Sequence, residues 1–289
     1  MENEREQAVH FLENNERECT ALMEQVLKNT EQVFAVEDAE NKSWCCFLYL
    51  KNIYTLLHYI PFAKNNFKND FNFSENEINE LTELFKKFLS EHPVSCVYGE
   101  YDGSVFVNSV LEKIGKKKIK DNEYILMEND FSDQIYKDEI EERKDVIARK
   151  CSIDDMKNLF ELEKGYQIEE VQVIEHKENE KIVNFILNKA LSSQNVFASF
   201  LKKSFEAVSK AATNGLGKNY FQIGGVYCKQ DYRCRGITKF TMMHLLKFIN
   251  ASGKKADLFV KVKNESARKL YESLKFTECG RYMISYFEK

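Results

Sequence analysis

The stretch Tyr220–Thr238 reads Tyr-Phe-Gln-Ile-Gly-Gly-Val-Tyr-Cys-Lys-Gln-Asp-Tyr-Arg-Cys-Arg-Gly-Ile-Thr. It constrains the fold more than any other part of the chain. Tyr220 to Cys228 is rich in β-branched and aromatic residues and predicts a strand. Gly224-Gly225 inside it predicts a bulge or a close backbone approach. A helix follows from near Ile237, because Ile237, Phe240, Met243, Leu246 and Ile249 keep helical spacing. Gly253 stands where a helix C-terminal glycine is expected. Between strand and helix lie Arg233, Arg235 and Gly236. Free N–H groups and the positive end of the helix dipole favour an anion at such a place. Glycine lets an oxygen-rich ligand approach the main chain, and the arginines add charge-assisted hydrogen bonds. The chemistry suits a pyrophosphate; the plainer alternative is a turn with its arginines in solvent.

A second motif lies downstream. Ala256 to Val262 reads as a strand, and Asn264 opens a helix with Ala267, Leu270, Tyr271 and Leu274. Residues three, four and seven apart share a helix face, so Asn264, Ala267 and Tyr271 form one stripe. The small residue in the middle leaves room for a ligand. Alone, this segment reads more simply as a capped helix with an ordinary amphipathic face.

Together the two segments resemble the GNAT family, the GCN5-related N-acetyltransferases. The first carries that family's Arg/Gln-x-x-Gly-x-Gly/Ala as Arg233-Cys234-Arg235-Gly236-Ile237-Thr238. The second carries Asn-x-x-Ala-x-x-Leu-Tyr, from Asn264 through Ala267 and Leu270 to Tyr271, and runs on to Phe276. Two positions depart from the pattern. Thr238 replaces a small residue, and Lys275 replaces a helix-ending glycine, where a left-handed side chain costs roughly 1–2 kcal/mol. The resemblance covers about the last half of the chain.

The 289 residues suffice for two domains. Residues 1–130 read as an N-terminal α/β domain, 131–145 as a charged linker and 146–289 as the GNAT-like domain. In the second domain, Ser152-Ile153-Asp154-Asp155 resembles a capping box before a helix with Met156, Leu159 and Leu162. Residues 178–191 predict another helix, with Gly165 to Glu170 between the two. Asn195–Leu201 and Phe205–Thr213 predict a hairpin, and Arg281–Phe287 a closing strand. In the first domain, residues 1–30 predict one helix. Strands are expected at 44–50, 54–60, 94–98 and 123–127. Helices are expected after the capping box Ser74-Glu75-Asn76-Glu77 and over 103–114. The expected fold class is α/β (α+β): a mixed, mostly antiparallel sheet flanked by helices, GNAT-like, with two domains in tandem. The first half is either a degenerate echo of the second or an unrelated α/β domain. At Tyr98-Gly99-Glu100-Tyr101-Asp102-Gly103 it carries acids where a phosphate cradle needs bases.

Charge and cysteines narrow the classes. The chain has 42 basic and 46 acidic residues, a net charge of −4, which does not suggest a nucleic-acid binder. No run approaches the ~18 apolar residues of a membrane span, and the acidic N-terminus lacks a signal-peptide apolar core. The eight cysteines form no Cys-x-x-Cys pair and no metal-ligand spacing with the five histidines. No metal is expected, and a cytoplasmic setting is. Cys234, beside two arginines, reads as a bystander in its loop rather than a nucleophile. Residues 220–270 hold eleven Lys/Arg against three Asp/Glu, a balance of +8.

The GNAT resemblance implies an N-acetyltransferase. It would move the acetyl group of acetyl-coenzyme A to a primary amine of a small molecule or protein. The pyrophosphate would lie on Arg233, Cys234, Arg235, Gly236, Ile237 and Thr238. The backbone of Val226, Tyr227 and Cys228 would meet the pantetheine and the thioester carbonyl. Asn264, Ala267 and Tyr271 would line the cofactor, with Tyr271 as general acid for the leaving thiolate. Glu169 and Glu170 are candidate bases; His176 and His244 qualify by residue type only, and proton loss to water is a further option. The alternative function is an acetyl-coenzyme A sensor without turnover.

Overall fold

The computed structural model describes residues 2–29, 33–37, 43–61, 75–133, 140–171 and 180–288. The chain divides into two units. One comprises Met1–Met127, Phe259–Glu265 and Glu278–Lys289; the other comprises Glu128–Leu258 and Ser266–Thr277. The fold class is α/β, with mixed, mostly antiparallel sheet flanked by helices.

In the first unit, β1 (Val33–Glu37), β2 (Ser43–Leu50), β3 (Thr55–Tyr59), β4 (Cys96–Glu100), β11 (Thr277–Phe287) and β5 (Lys118–Asn129) follow the spatial order β1-β2-β3-β4-β11-β5. The β3–β4 pair is parallel, while β1–β2, β2–β3 and β4–β11 are antiparallel. Its helices are α1 (Glu2–Glu13), α2 (Thr20–Lys28), α3 (Glu75–Glu91) and α4 (Tyr101–Lys113). Side chains alternate along β2. Cys45, Phe47 and Tyr49 pack with Phe85 and Phe88 of α3 and Val107 and Leu111 of α4. Cys46 and Leu48 pack with Leu12 of α1 and Met23 of α2. A strand covered on both faces needs an unbroken apolar run, which is what residues 44–50 supply.

The helix expected over 1–30 is two helices. A 3-10 turn, Glu16–Glu18, separates α1 from α2, and both Glu16 and Glu18 are buried. Asn14-Asn15 precedes the break, and asparagine side chains compete with helical hydrogen bonds. Strand β1 was not expected: it has five residues and no glycine or proline beside it. The Ser74 capping box begins outside the described residues.

In the second unit the spatial order is β10-β9-β8-β7-β6, for β6 (Val146–Lys150), β7 (Val196–Leu201), β8 (Ala207–Leu216), β9 (Tyr220–Cys228) and β10 (Lys255–Lys261). The β9–β10 pair is parallel and the other three are antiparallel. The helices are α5 (Met156–Tyr166), α6 (Glu180–Ser193), α7 (Ile237–Ala251) and α8 (Glu265–Ser273). Val196, Ala198 and Phe200 of β7 pack with Leu159 and Leu162 of α5 and Leu187 of α6. The alternate residues meet α7: Phe197 contacts Phe248 at 5.7 Å, and Ser199 Oγ lies 2.7 Å from Thr241 Oγ1. The strand alternation thus sets α5 and α6 on one face and α7 on the other.

The Ser152–Asp155 capping box is present, opening a 3-10 turn ahead of α5. Gly253 has φ +68°, as a helix-ending glycine should, and Lys275 stands at φ +63° in the place of one. Three local expectations change. The segment 165–170 is helical: α5 runs to Tyr166, and a π-helical turn, Gln167–Val171, continues it. Phe205, at φ +55°, belongs to the hairpin turn, and β8 runs on to Leu216. The closing strand starts at Thr277. No helix among the described residues is long and apolar enough to cross a membrane.

Candidate active site

Strand β9 organises the site. Its parallel pairing with β10 ends at Ile223↔Leu258, although β9 continues for five residues. On its other side, Lys210↔Tyr227 and Ala212↔Gly224 are register partners, so Gly225 and Val226 together face Ala211. Two residues opposite one make a β-bulge, and Gly225 takes the left-handed φ of +60° that this form uses. The double glycine is needed for space as well. A Cβ on Gly224 would come within 2.5 Å of Asn214 Nδ2, and one on Gly225 within 3.1 Å of Lys210 Nζ.

Beyond β9, a 3-10 turn (Gln230–Tyr232) leads into Arg233, Cys234 and Arg235. Cys234 is exposed with φ +59°, and Gly236 is the left-handed residue before α7 at φ +72°. No side chain caps α7, so its first N–H groups keep their capacity for an anion. Arg235 stacks over Tyr232 at 5.5 Å. A third arginine joins the loop: a Cβ on Gly236 would lie 3.4 Å from Arg143 Nη1. Asp145 holds that guanidinium by two bonds of 2.9 and 2.8 Å. Arg143 escaped the sequence reading because it sat in a charged segment read as linker. Ile237 is a core residue, packed with Val146 and Val208. Thr238 is half-buried and hydrogen-bonds to the Cys228 side chain, whose thiol is pushed up chiefly by burial.

Arg233 is already engaged. Its Nε donates to the Cys228 carbonyl at 3.0 Å, and Nη2 donates to Glu169 Oε2 at 2.7 Å. Glu169 Oε1 accepts from Tyr227 Oη at 2.7 Å and from Gln230 Nε2 at 3.3 Å. Burial alone would raise the Glu169 carboxyl, but the bonds from Tyr227 and Arg233 outweigh it and hold it below the usual carboxylate range. A carboxylate so held is a poor proton acceptor. Glu169, expected as a base, also joins the π-helical turn to the arginine loop. Its partner Tyr227 is pushed up to about 12, first by burial and then by the Glu169 charge. Gly165 makes room for that phenol, since a Cβ there would fall 2.4 Å from Tyr227 Oη.

Tyr271 is 7% exposed, with its ring edge-on to Phe276 at 6.0 Å. Burial, then Tyr166 and Glu170, push its phenol well above the ordinary value, so it stays protonated through the neutral range. Glu170 therefore lies near enough to act on Tyr271. Ala267 sits one helical turn before Tyr271 on α8, and Asn264 directly precedes that helix, its N–H on the Lys261 carbonyl at 2.8 Å. His244 lies on α7 and is pushed down by burial and Lys247. His176 lies outside the described residues. Among the described residues, no group of three or more His, Cys, Asp or Glu could hold a metal ion.

Residues 153–276 match the model of the acetyltransferase (GNAT) family. No curated protein matches the chain. Among solved structures, a Drosophila protein superposes with a TM-score of 0.64 at 9% identity, over 99% of this chain and 88% of that one. A GCN5-related N-acetyltransferase from Kribbella flavida gives 0.57 at 10% identity, over 94% of this chain and 96% of that one. Another, from Sphaerobacter thermophilus, gives 0.55 at 12% identity, over 94% and 92%. At such identities the likeness concerns the fold alone. By the family match, residues 153–276, which hold the bulged strand, the arginine loop and Tyr271, form a domain of the GNAT acetyltransferase family.

Proposed function

We propose that the second unit is an N-acetyltransferase that moves the acetyl group of acetyl-coenzyme A to a primary amine of a small molecule or protein. The observation that carries this reading is the end of β9. The strand loses its β10 partner at Ile223, bulges at Gly225, and leads into an uncapped helix beside Arg143, Arg233 and Arg235. When bound, acetyl-coenzyme A supplies the acyl group and a thiolate leaving group. The N–H groups at the start of α7, with Arg143, Arg233 and Arg235, hold the pyrophosphate. Cys234, Gly236 and Thr238 shape that loop, and Ile237 anchors it in the core. The main chain at Val226 to Cys228 binds the pantetheine and the carbonyl, with Asn264 and Ala267 along the same ligand. A donor fixed at that oxygen is worth roughly 2.7–4 kcal/mol in the transition state. Tyr271 keeps its proton and gives it to the departing sulfur. The amine loses its proton to Glu169, to Glu170 or to water; in the free protein Glu169 is held by three donors.

One cofactor binds per chain in this reading. In the first unit, β3 stays paired with β4 through His58↔Gly99. The His58 ring also fills the space beside Gly99, within 2.3 Å of where a Cβ would stand. Among its described residues, that half has no opening like the one beside β9. The protein works in the cytoplasm, in keeping with eight cysteines that remain thiols.

Calorimetry with acetyl-coenzyme A tests the reading. A stoichiometry of one, lost in Gly236→Asp, is expected, because a carboxylate and a Cβ would both intrude on the anion. Unchanged affinity in that variant would remove the assignment. An acetyl-coenzyme A sensor without turnover is the second reading, favoured by the engagement of Glu169. Release of free thiol with any member of an amine panel excludes it.

A further inference from the structure

A charged pair lies under the β9 bulge. Lys210, on β8, is 2% exposed and Glu163, on α5, is 4% exposed, and their Nζ and Oε2 are 2.9 Å apart. Glu163 Oε1 accepts from Gln167 Nε2 at 2.7 Å. Lys210 Nζ also donates to the Gly225 carbonyl at 2.9 Å and sits 4.7 Å over the Tyr166 ring. The strand around this lysine, Ala207-Val208-Ser209-Lys210-Ala211-Ala212, is otherwise small and buried. Taking an ammonium and a carboxylate out of water is expensive, so this placement calls for a reason.

The reason lies in the peptide that Lys210 touches. Gly225 and Val226 have no register partner on β8 or β10. Nothing in the strand ladder therefore sets the orientation of the plane between them, and glycine at Gly225 leaves it freer to rotate. The chain has no cis peptide bonds, and in a trans peptide the C=O and the following N–H point in opposite directions. A carbonyl fixed on Lys210 therefore aims the Val226 N–H away from Lys210. Val226 is half-buried, in the length of β9 that has lost its β10 partner.

We propose that Lys210 is a positioning residue: neutralised by Glu163, it holds the Gly225 carbonyl and so presents the Val226 N–H to the thioester carbonyl of acetyl-coenzyme A. This rests on the acetyltransferase reading above. Lys210 touches no reacting atom; it acts through the bulge. Glu163 sets a counter-charge 2.9 Å from the buried ammonium, and the Tyr166 ring covers it.

The test uses the full chain and needs no acceptor. Infrared spectra of bound acetyl-coenzyme A, labelled with carbon-13 at the thioester carbonyl, report hydrogen bonding to that oxygen. In the wild-type protein the band should shift to lower frequency than in water. In Lys210→Met/Glu163→Gln, which leaves no buried charge behind, the shift should vanish while coenzyme A itself binds within about threefold of wild type. Once an acceptor is known, kcat should fall by up to about 10²-fold, the lower range for a lost oxyanion donor, with little change in KM for the coenzyme. Glu163→Gln alone keeps the Lys210–Gly225 bond and should keep the shift. A double variant with the wild-type band would overturn the proposal. A second measurement needs no variant: the Val226 amide resonance should move when acetyl-coenzyme A replaces coenzyme A, and a stationary resonance refutes the role equally. Failure of the wild-type protein to bind acetyl-coenzyme A at all would instead refute the acetyltransferase reading.

Discussion

The Lys210–Glu163 pair makes a stability prediction as well as a functional one. With side chains 3% and 5% exposed and 2.9 Å apart, the Coulomb attraction is about 6 kcal/mol at an effective dielectric of 20. Desolvation of both ions offsets most of that, so the pair adds little net stability. Its removal should therefore be strongly non-additive. Lys210→Met leaves Glu163 charged and buried and should cost about 3–5 kcal/mol, the range for one broken partner. Glu163→Gln should cost less, because Lys210 keeps its bond to the Gly225 carbonyl and its place over the Tyr166 ring. The double variant loses the Gly225 bond, about 0.5–1.5 kcal/mol, but strands no charge. We expect it about 1–2 kcal/mol below wild type, giving a coupling of roughly 2 kcal/mol or more. Because the chain has two units, one unfolding curve need not be two-state. Native-state hydrogen exchange of β8 and β9 amides reads the second unit by itself. Single-variant losses that simply add, or a neutral Lys210→Met, would refute the reasoning.

Three further outcomes follow from the site. Tyr271→Phe keeps the ring against Phe276 and removes only the hydroxyl. It should bind acetyl-coenzyme A nearly as before and lose about 10²–10⁴-fold in turnover, less for a thioester whose thiol leaves readily as an anion. Wild-type turnover where chemistry limits the rate would move the proton donor to water. Glu169→Gln weakens the hold on Arg233 and removes a negative charge near the anion site, so calorimetry should find tighter coenzyme A; weaker binding would mean that Glu169 supports the loop rather than competing for its arginine. Asp155 is held low by Arg149, through bonds of 2.6 and 2.8 Å, and by the Ser152 N–H. That stabilisation is present above the ordinary carboxylate pKa of about 3.9 and is lost as pH falls through the lowered value. Asp155→Asn should be less stable than wild type at pH 7 and approach it near pH 3; a gap independent of pH in denaturant melts would count against the assignment.

What could be read from the sequence was local. Strand β9, its double glycine, the arginine loop and the start of α7 follow from propensity, backbone freedom and periodicity within twenty residues. The Ser152–Asp155 box is likewise a four-residue pattern. What escaped depends on contacts between distant residues. Arg143 joins the loop only because the fold returns residue 143 to Gly236. Lys210 lies among small, buried strand neighbours, but only the fold brings it to Glu163 and the Gly225 carbonyl. The π-helical turn at 167–171 escaped for another reason. Helical periodicity stops at Tyr166, and what continues the turn is a set of bonds donated by Gln167 to Glu163 and by Tyr227 and Arg233 to Glu169.

That last set changes how the two ends of the site relate. The sequence reading gave Arg233 to the phosphates and Glu169 to the amine, as separate groups. In the folded chain they are one ion pair, with side chains 41% and 29% exposed. A pair that open to water is worth about 0–1 kcal/mol, whereas an arginine meeting a pyrophosphate makes stronger, charge-assisted contacts. Arg233 can thus exchange Glu169 for a phosphate at small cost. Glu169 would then lose its charged donor but keep Tyr227 and Gln230, and its proton affinity would rise. The carboxylate that is a poor base in the free protein would become a better one once the cofactor occupies the loop. On this account an acceptor amine meets a competent carboxylate only after acetyl-coenzyme A has bound, which is the order of events a transferase needs if it is not to hold its acceptor unproductively.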